Sequence, residues 1–562
     1  MLSSNFSIYC DLQLSSTRAM INIKVKADDL KQSGGTSMPM PTIRGSGRQS
    51  QLYVAGKPIR LLSGEIHNSS SSSLTYMDKV VWPALRPLHM NNVIVPVYWE
   101  CVEPEEGIFD FNLVDGLISQ ARREGVTLTL LWFGLWKNSG STYIPQWAKL
   151  DRVRFPYMQS NGVDEEAVFH KADVTLESVT PFCQEAVQAD AKAFRQLMRH
   201  IHTLDPDAGT VIMVQVENEI GILGSSRDYS PLAEAAFHAP IPAAVAEAFS
   251  VSGTWQEAFA DEADELFMAC QFAQAINIIT QAGFEEHPIL YYVNAWLEQF
   301  PARAGQYPTG GPVFKVRKMW RIMAPNLALF APDIYVEQFR DVCDEYASDG
   351  NPLFIPETRG SKDTVSGLFY AIGKHNALCF APFGIEDLLR GDSGLGDEEK
   401  RMLNIPLDAR NADQIQIGRT LAQTYQLIAG MDDLIREAHR DNRIQGFMQY
   451  HDRGTVLKFS QFTAKVTYGS AGGFFGPPPS EHDPVAGGFL IEISANEFIL
   501  AGVSCIVSFY ANDKRAVGVL RKEEGSFTAA GWQRGRILNG DEQMIHRFGC
   551  EPSVLRIKLY EY

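Results

Sequence analysis

Two glutamates close apolar runs that otherwise carry almost no charge. The run VIMVQVENE, 211 to 219, ends on Glu219, and PLFIPETRG, 352 to 360, holds Glu357. A carboxylate at the end of an apolar strand is costly to desolvate unless a partner or a substrate meets it. A period of two places Gln215, Glu217 and Glu219 on one face of the first run and Val214 and Val216 on the other. Two carboxyl groups facing each other across a cleft can split a glycosidic bond. One protonates the departing oxygen while the other attacks or steadies the oxocarbenium-like carbon. Aromatic residues able to stack on sugar faces close similar runs at Trp99, Trp132, Trp136, Trp296, Tyr335 and Phe383.

Such residues need a frame that brings distant strand ends together. Eight β-rich runs alternate with stretches of helical period: Ile59–His67, Val93–Glu100, Val126–Trp136, Val211–Glu219, Ile289–Trp296, Leu327–Tyr335, Leu353–Glu357 and Leu378–Glu386. Eight strand-helix units predict an α/β fold, a (β/α)8 TIM barrel over residues 49–440, whose site lies at the C-terminal ends of the strands. In a ring of eight, strands four and seven face each other across the mouth. An open doubly wound sheet is the alternative, but no GxGxxG or GxxxxGK[ST] follows any of these strands. The polar face of strand four is expected to point into the mouth. The intervening segments include Met77–His89 and Val187–His202. In the latter Val187, Ala191, Phe194, Met198 and Ile201 recur on one face.

Residues 441–562 change character, with alternating β-branched runs separated by Gly, Pro, Asn and Asp, and predict a smaller C-terminal β-sandwich. The Pro-rich stretch 472–484 reads as a loop within it. This domain is expected to pack on the barrel and stiffen it. Residues 1–48 read as a flexible extension without a basic start and apolar h-region, which points to a cytoplasmic chain unless the start codon is misassigned.

Four strings carry a family resemblance. RLLSGEIH (60–67), VYWECVEPEEGIFDF (97–111), QVENEIG (215–221) and PLFIPETRG (352–360), in this order and spacing, resemble retaining β-galactosidases of glycoside hydrolase family 35. The second string also looks like the related family 42, and the β-rich tail resembles the accessory domain of one family 35 branch. The resemblance implies an exo-acting enzyme releasing terminal β-D-galactose by double displacement. It makes Glu219 the general acid/base, Glu357 the nucleophile and Asn218 a partner of the sugar 2-hydroxyl. Trp99, Glu100, Asn138, Trp136, Trp296 and Tyr335 complete the expected substrate-binding set. The sequence departs from the family strings at Glu100, Val102, Ile220 and Lys137-Asn138. Asn138 stands where many members carry a carboxylate, and Glu100 is expected to take over its task. A β-glucosidase or arabinosidase of the same clan and a silent sugar-binding protein are the alternatives; the presence of both glutamates argues against the latter.

Charge and composition narrow the partners. With 50 Lys and Arg against 67 Asp and Glu, a net charge of −17 repels phosphate backbones and anionic membranes. No nucleic acid or membrane partner is expected, and no apolar stretch approaches bilayer-spanning length. A neutral oligosaccharide or glycoside fits better, and a homo-oligomer is compatible. The eight cysteines lie far apart, without a CxxC pair, and read as free thiols. His200 and His202, two apart on a helix, do not share a face, so neither metal nor cofactor is expected. Lys137 is the one strand-tip lysine that a Schiff-base aldolase would need.

Overall fold

The computed structural model describes residues 39–161, 177–298, 303–390, 411–469, 484–528 and 530–562. Eight parallel strands form one closed sheet. In chain order they are Leu61–Leu62, Asn92–Tyr98, Thr127–Lys137, Val211–Asn218, Leu290–Trp296, Leu329–Ile334, Phe354–Thr358 and Cys379–Pro382, hereafter barrel strands one to eight. Each lies beside its sequence neighbour, and strand eight pairs with strand one. The seam between strands one and two closes at Glu65, which bridges both Ile94 and Phe383, and the Ile94 amide donates to Gly64 O at 2.9 Å.

All residues of strands two and four are buried, as in a parallel sheet covered on both faces. Alternation then sorts them into two cores. Leu61, Ile94, Tyr98, Leu131, Phe133 and Met213 fill the barrel interior. Val95, Trp99, Leu130, Trp132, Trp136 and Val214 belong to the layer between sheet and helices. Helix Gln184–Leu204 buries Val187, Ala191, Phe194, Met198 and Ile201, the stripe its period predicts. Residues 77–89 do not form the one helix expected. Short α, π and 3-10 turns follow one another from Leu74 to Leu88, since Pro83 and Pro87 each remove an amide donor.

The expected flexible extension is corrected at its C-terminal end. Thr42–Arg44 pairs antiparallel with Gln51–Val54, which returns as Lys57–Ile59. Leu52 of this small sheet joins the barrel interior, and that burial orders it. Residues 1–38 lie outside the described residues.

Helix Asn411–Arg440 leads into two antiparallel sheets of six and four strands. Their facing sides share a core containing Phe447, Phe462, Val466, Leu490, Phe498, Val507 and Ile557, so the pair is a sandwich. The other side of the larger sheet, with Phe489, Ile491, Ile499 and Val503, belongs to the same core as the barrel helices. The approach is closest at helix Thr364–His375, which follows strand seven. A Cβ on Gly373 would lie 2.9 Å from Gly446 Cα and 2.6 Å from Phe489 Cβ, so only glycine lets helix and sheet meet there. Most of the loop expected at 472–484 falls outside the described residues. Among the described residues Cys101, Cys183, Cys270, Cys343, Cys379 and Cys505 are free thiols, and no helix is long and apolar enough to cross a membrane.

Candidate active site

Strand four ends in a conformation that alternation does not foresee. Glu217 and Glu219 both adopt left-handed backbone, with φ of 63° and 48°, which costs about 1–2 kcal/mol at a non-glycine residue. The turn separates the two glutamates. The sequence predicts that Glu217 shares the mouth with Glu219, and the structure corrects this. The Glu217 carboxyl group accepts the amides of Gly134, Leu135 and Trp136 at 3.2, 3.0 and 2.8 Å, where strand three bulges. Asp190, from helix Gln184–Leu204, accepts Trp132 Nε1 at 2.8 Å and Leu135 N at 2.9 Å beside it. Burial raises both acids, Glu217 well above the usual range, and two carboxyl groups in hydrogen-bond contact share a proton. A Cβ at Gly134 would come within 2.4 Å of both acids, so glycine leaves room for the pair.

Released from that face, Glu219 turns to the mouth, and its amide donates to Asn294 Oδ1 at 2.9 Å. Asn294 is fully buried at strand five and gives its Nδ2 to Asp333 at 2.7 Å and to Glu357 at 3.3 Å. Tyr335 donates its phenol to Glu357 Oε2 at 2.9 Å. The Asn218 amide lies 3.3 Å from Glu357 and 3.0 Å from the Lys137 ammonium. Both become hydrogen bonds when its oxygen faces the lysine. One carboxyl oxygen from each of Glu219, Asp333 and Glu357 lies within 4.8 Å of the others. The cation acting on these three acids is Lys137, a buried residue whose Nζ also donates to Asn138 at 2.6 Å.

The crowding decides which group keeps a proton. Burial, then the charge of Glu357, pushes Glu219 up to about 8. Burial lifts Asp333 and Glu65 well above the carboxyl range, and the neighbouring acids add to it. Glu357 is also raised by burial, but Lys137, Tyr335, Asn294 and Glu65 pull it back. A neutral Glu219 beside an ionised Glu357 would be a proton donor beside a nucleophile.

This arrangement has a linkage consequence. Because Glu219 is raised, the folded state binds its proton more tightly than the unfolded chain. Its contribution is complete below the ordinary value of 4.5 and is lost as pH rises through about 8. Glu219→Gln is therefore expected to raise the denaturant midpoint near pH 8 and to leave it unchanged near pH 4. The gain is roughly 1.4 kcal/mol for each pH unit crossed. A midpoint equal to wild type at both would mean that Glu219 is not held neutral by the fold.

The structure brings Glu219, Glu357, Asn218 and Tyr335 together, with half-buried Asn138 beside Asn218 through its amide at 3.1 Å. Trp296, half-buried, ends strand five opposite Asp333. Glu100 stands at the rim, 41% exposed, with Lys149 at 3.3 Å. Trp99 and Trp136 do not line the mouth. Both are fully buried in the outer layer, Trp99 donating to Glu103 at 2.9 Å and Trp136 to Val179 O at 2.9 Å. Alternation gives the reason, for Trp99 follows the inward Tyr98 and Trp136 shares the phase of outward Trp132. The sequence marks Asn294, Asp333 and Glu65 as polar residues closing apolar runs but assigns them no role, and it offers Lys137 for a different chemistry.

Comparisons with known proteins bear on this geometry. Residues 84–260 match the family model of glycoside hydrolase family 42, described as beta-galactosidase. That stretch spans strands two to four with Asn218 and Glu219 and ends before Glu357. Residues 421–548 match a domain of unknown function, DUF5597. Over 203 residues the chain is 28% identical to the beta-galactosidase of Xanthomonas manihotis, covering 36% of this chain and 30% of that protein. It thus spans about a third of that relative's length. Similar solved structures include the beta-galactosidase of the psychrophilic Marinomonas ef1, with a TM-score of 0.46, 12% identity, and 67% of this chain and 61% of that one covered. Another is the beta-galactosidase of Bacillus circulans sp. alkalophilus, with a TM-score of 0.46, 10% identity, and 89% and 99% covered. The matching model is thus family 42, the relative noted for the second sequence string, whereas family 35 rests on the motifs alone.

Proposed function

We propose that this protein is a retaining, exo-acting glycoside hydrolase of the β-galactosidase type. The observation that carries the reading is the approach of Glu219 and Glu357 at the mouth, with carboxyl oxygens within 4.8 Å. Retention needs carboxyl groups about 5–5.5 Å apart, and inversion needs about 6.5–9.5 Å to seat a water. Glu357 attacks the anomeric carbon as the glycosidic C–O bond breaks, and Glu219 gives its proton to the departing oxygen. The product of this step is a glycosyl ester on Glu357, whose negative charge is gone. Glu219, now ionised, takes a proton from water, which attacks the same carbon and frees Glu357. The family 42 match and the Xanthomonas relative support galactose as the sugar.

The test is kcat/KM on aryl β-D-galactoside, β-D-glucoside, β-D-fucoside and α-L-arabinoside, for wild type and Glu100→Gln. Galactoside is expected to exceed glucoside by about a hundredfold or more, since the wrong 4-epimer leaves buried polar groups unpaired. A preference for glucoside would remove the galactosidase assignment and leave the mechanism. Glu100→Gln is expected to lower the ratio, and an unchanged ratio would reduce Glu100 to an ion-pair partner of Lys149.

A further inference from the structure

Glu65 sits in this site without a role in the two-carboxylate reaction. It follows the short strand one by three residues, and there its amide donates to Pro382 O at 2.9 Å and its carbonyl accepts from Ile385 N at 3.1 Å. The backbone is therefore fixed from the strand-eight side, and the bridge to Ile94 fixes it from the other. Its side chain is fully buried, and no N–H or O–H among the described residues reaches either carboxyl oxygen. The groups around it are mostly acidic: Glu357, Glu219, Glu386 and Asp333, with Tyr292, Tyr335 and Cys379, against the single ammonium of Lys137. A charged carboxylate in such a place would lack the donors that buried charge requires. A neutral acid, by contrast, has one O–H to give. The carboxyl group within its hydrogen-bond reach is Glu357. Strands one and seven are alternate strands of the barrel, whose inward side chains share a layer.

We propose that Glu65 is a positioning residue for the candidate nucleophile, a neutral carboxylic acid whose O–H donates to the Glu357 carboxylate. The inference rests on the reading of Glu357 given above. It adds a donor to Tyr335 and Asn294 and holds Glu357 ionised and aimed while its neighbour Glu219 keeps a proton. The geometry also explains how one site accommodates so many acids, since the protons on Glu65 and Glu219 leave the negative charge on the group that attacks.

The experiment compares Glu65→Gln, whose amide retains a donor, with Glu65→Leu, which removes it at similar volume. In Glu65→Leu the acid limb of kcat/KM, set by ionisation of Glu357 in the free enzyme, is expected to move up by about one pH unit or more. Glu65→Gln is expected to keep at least about tenfold more kcat/KM than Glu65→Leu, with a smaller displacement of that limb. Difference infrared spectroscopy of the resting protein supplies a readout free of substrate. The carbonyl stretch of a protonated carboxylic acid at neutral pH should be present in wild type and lost in Glu65→Gln. Equal losses in the two variants would mean that Glu65 acts as a carboxylate or touches substrate, and would overturn the proposal. An unmoved acid limb in Glu65→Leu, or no infrared band lost, would do the same. If Glu65→Leu does not fold, Glu65→Gln and the infrared band still decide. A band that is lost as expected, alongside a Glu357→Ala variant that retains full activity, would refute the nucleophile assignment while leaving the proton on Glu65.

Discussion

Glu357→Ala is expected to lose about 10⁵-fold or more in kcat on every glycoside, because no other group stands ready to form the ester. Truncation leaves a space still faced by the Tyr335 phenol, the Asn294 amide and the Lys137 ammonium, all donors or positive charge. A small anion can occupy that space. Azide in the buffer should therefore restore release of an activated aryl leaving group, with Glu219 still able to protonate less activated ones. Its nitrogen forms the bond that the Glu357 oxygen would have formed, on the face opposite the leaving group, and the product is the α-glycosyl azide. A β-glycosyl azide from this variant, or residual turnover near wild type, would remove Glu357 from the nucleophile's place.

Glu219→Ala should fail differently. Attack by Glu357 remains possible where the leaving group needs no proton, so an activated aryl glycoside should give a burst of aryl alcohol followed by slow turnover. Glycosides with poor leaving groups should lose about 10²–10⁴-fold, the usual share of general acid catalysis. Azide, attacking the ester on Glu357 from the other side, should give the β-glycosyl azide. The pH profile separates the residues again. With Glu219 at about 8, wild-type kcat/KM falls as pH rises through that value and its acid deprotonates, and the variant should lack this basic limb. Absence of a burst, together with an unchanged basic limb, would move the acid's task to another residue, with Asp333 the nearest candidate.

What could be seen beforehand depended on how local the causes are. The eight strands were legible because a parallel strand buried on both faces is an unbroken apolar run, and strands four and seven carry their glutamates at the end of such runs. The facing of Glu219 and Glu357 follows from ring geometry alone. The roles of the aromatic residues were less legible. All lay near strand ends, and only the phase of the alternation separates inward Tyr98 and Phe133 from outward Trp99, Trp132 and Trp136. Glu217 was illegible for a different reason. Its direction is set by a left-handed residue and by Asp190 on a helix, and neither leaves a mark in the run VIMVQVENE. The order of residues 39–48 likewise depends on Leu52 finding the barrel interior, a contact made across the fold.

The meeting of Gly373 and Gly446 bears on how such a chain could have been assembled over evolutionary time. Two domains joined through long polar side chains can be exchanged as cassettes, because each surface tolerates a new neighbour. Here the helix after the strand that carries Glu357 touches the appended sheet through backbone, and Phe489 lies against the same glycine. Any replacement for the C-terminal unit would have to present a bare backbone at one position, and any change at Gly373 would have to be answered on the other side. A domain exchange at this junction would therefore succeed only with a partner that presents the same bare contact.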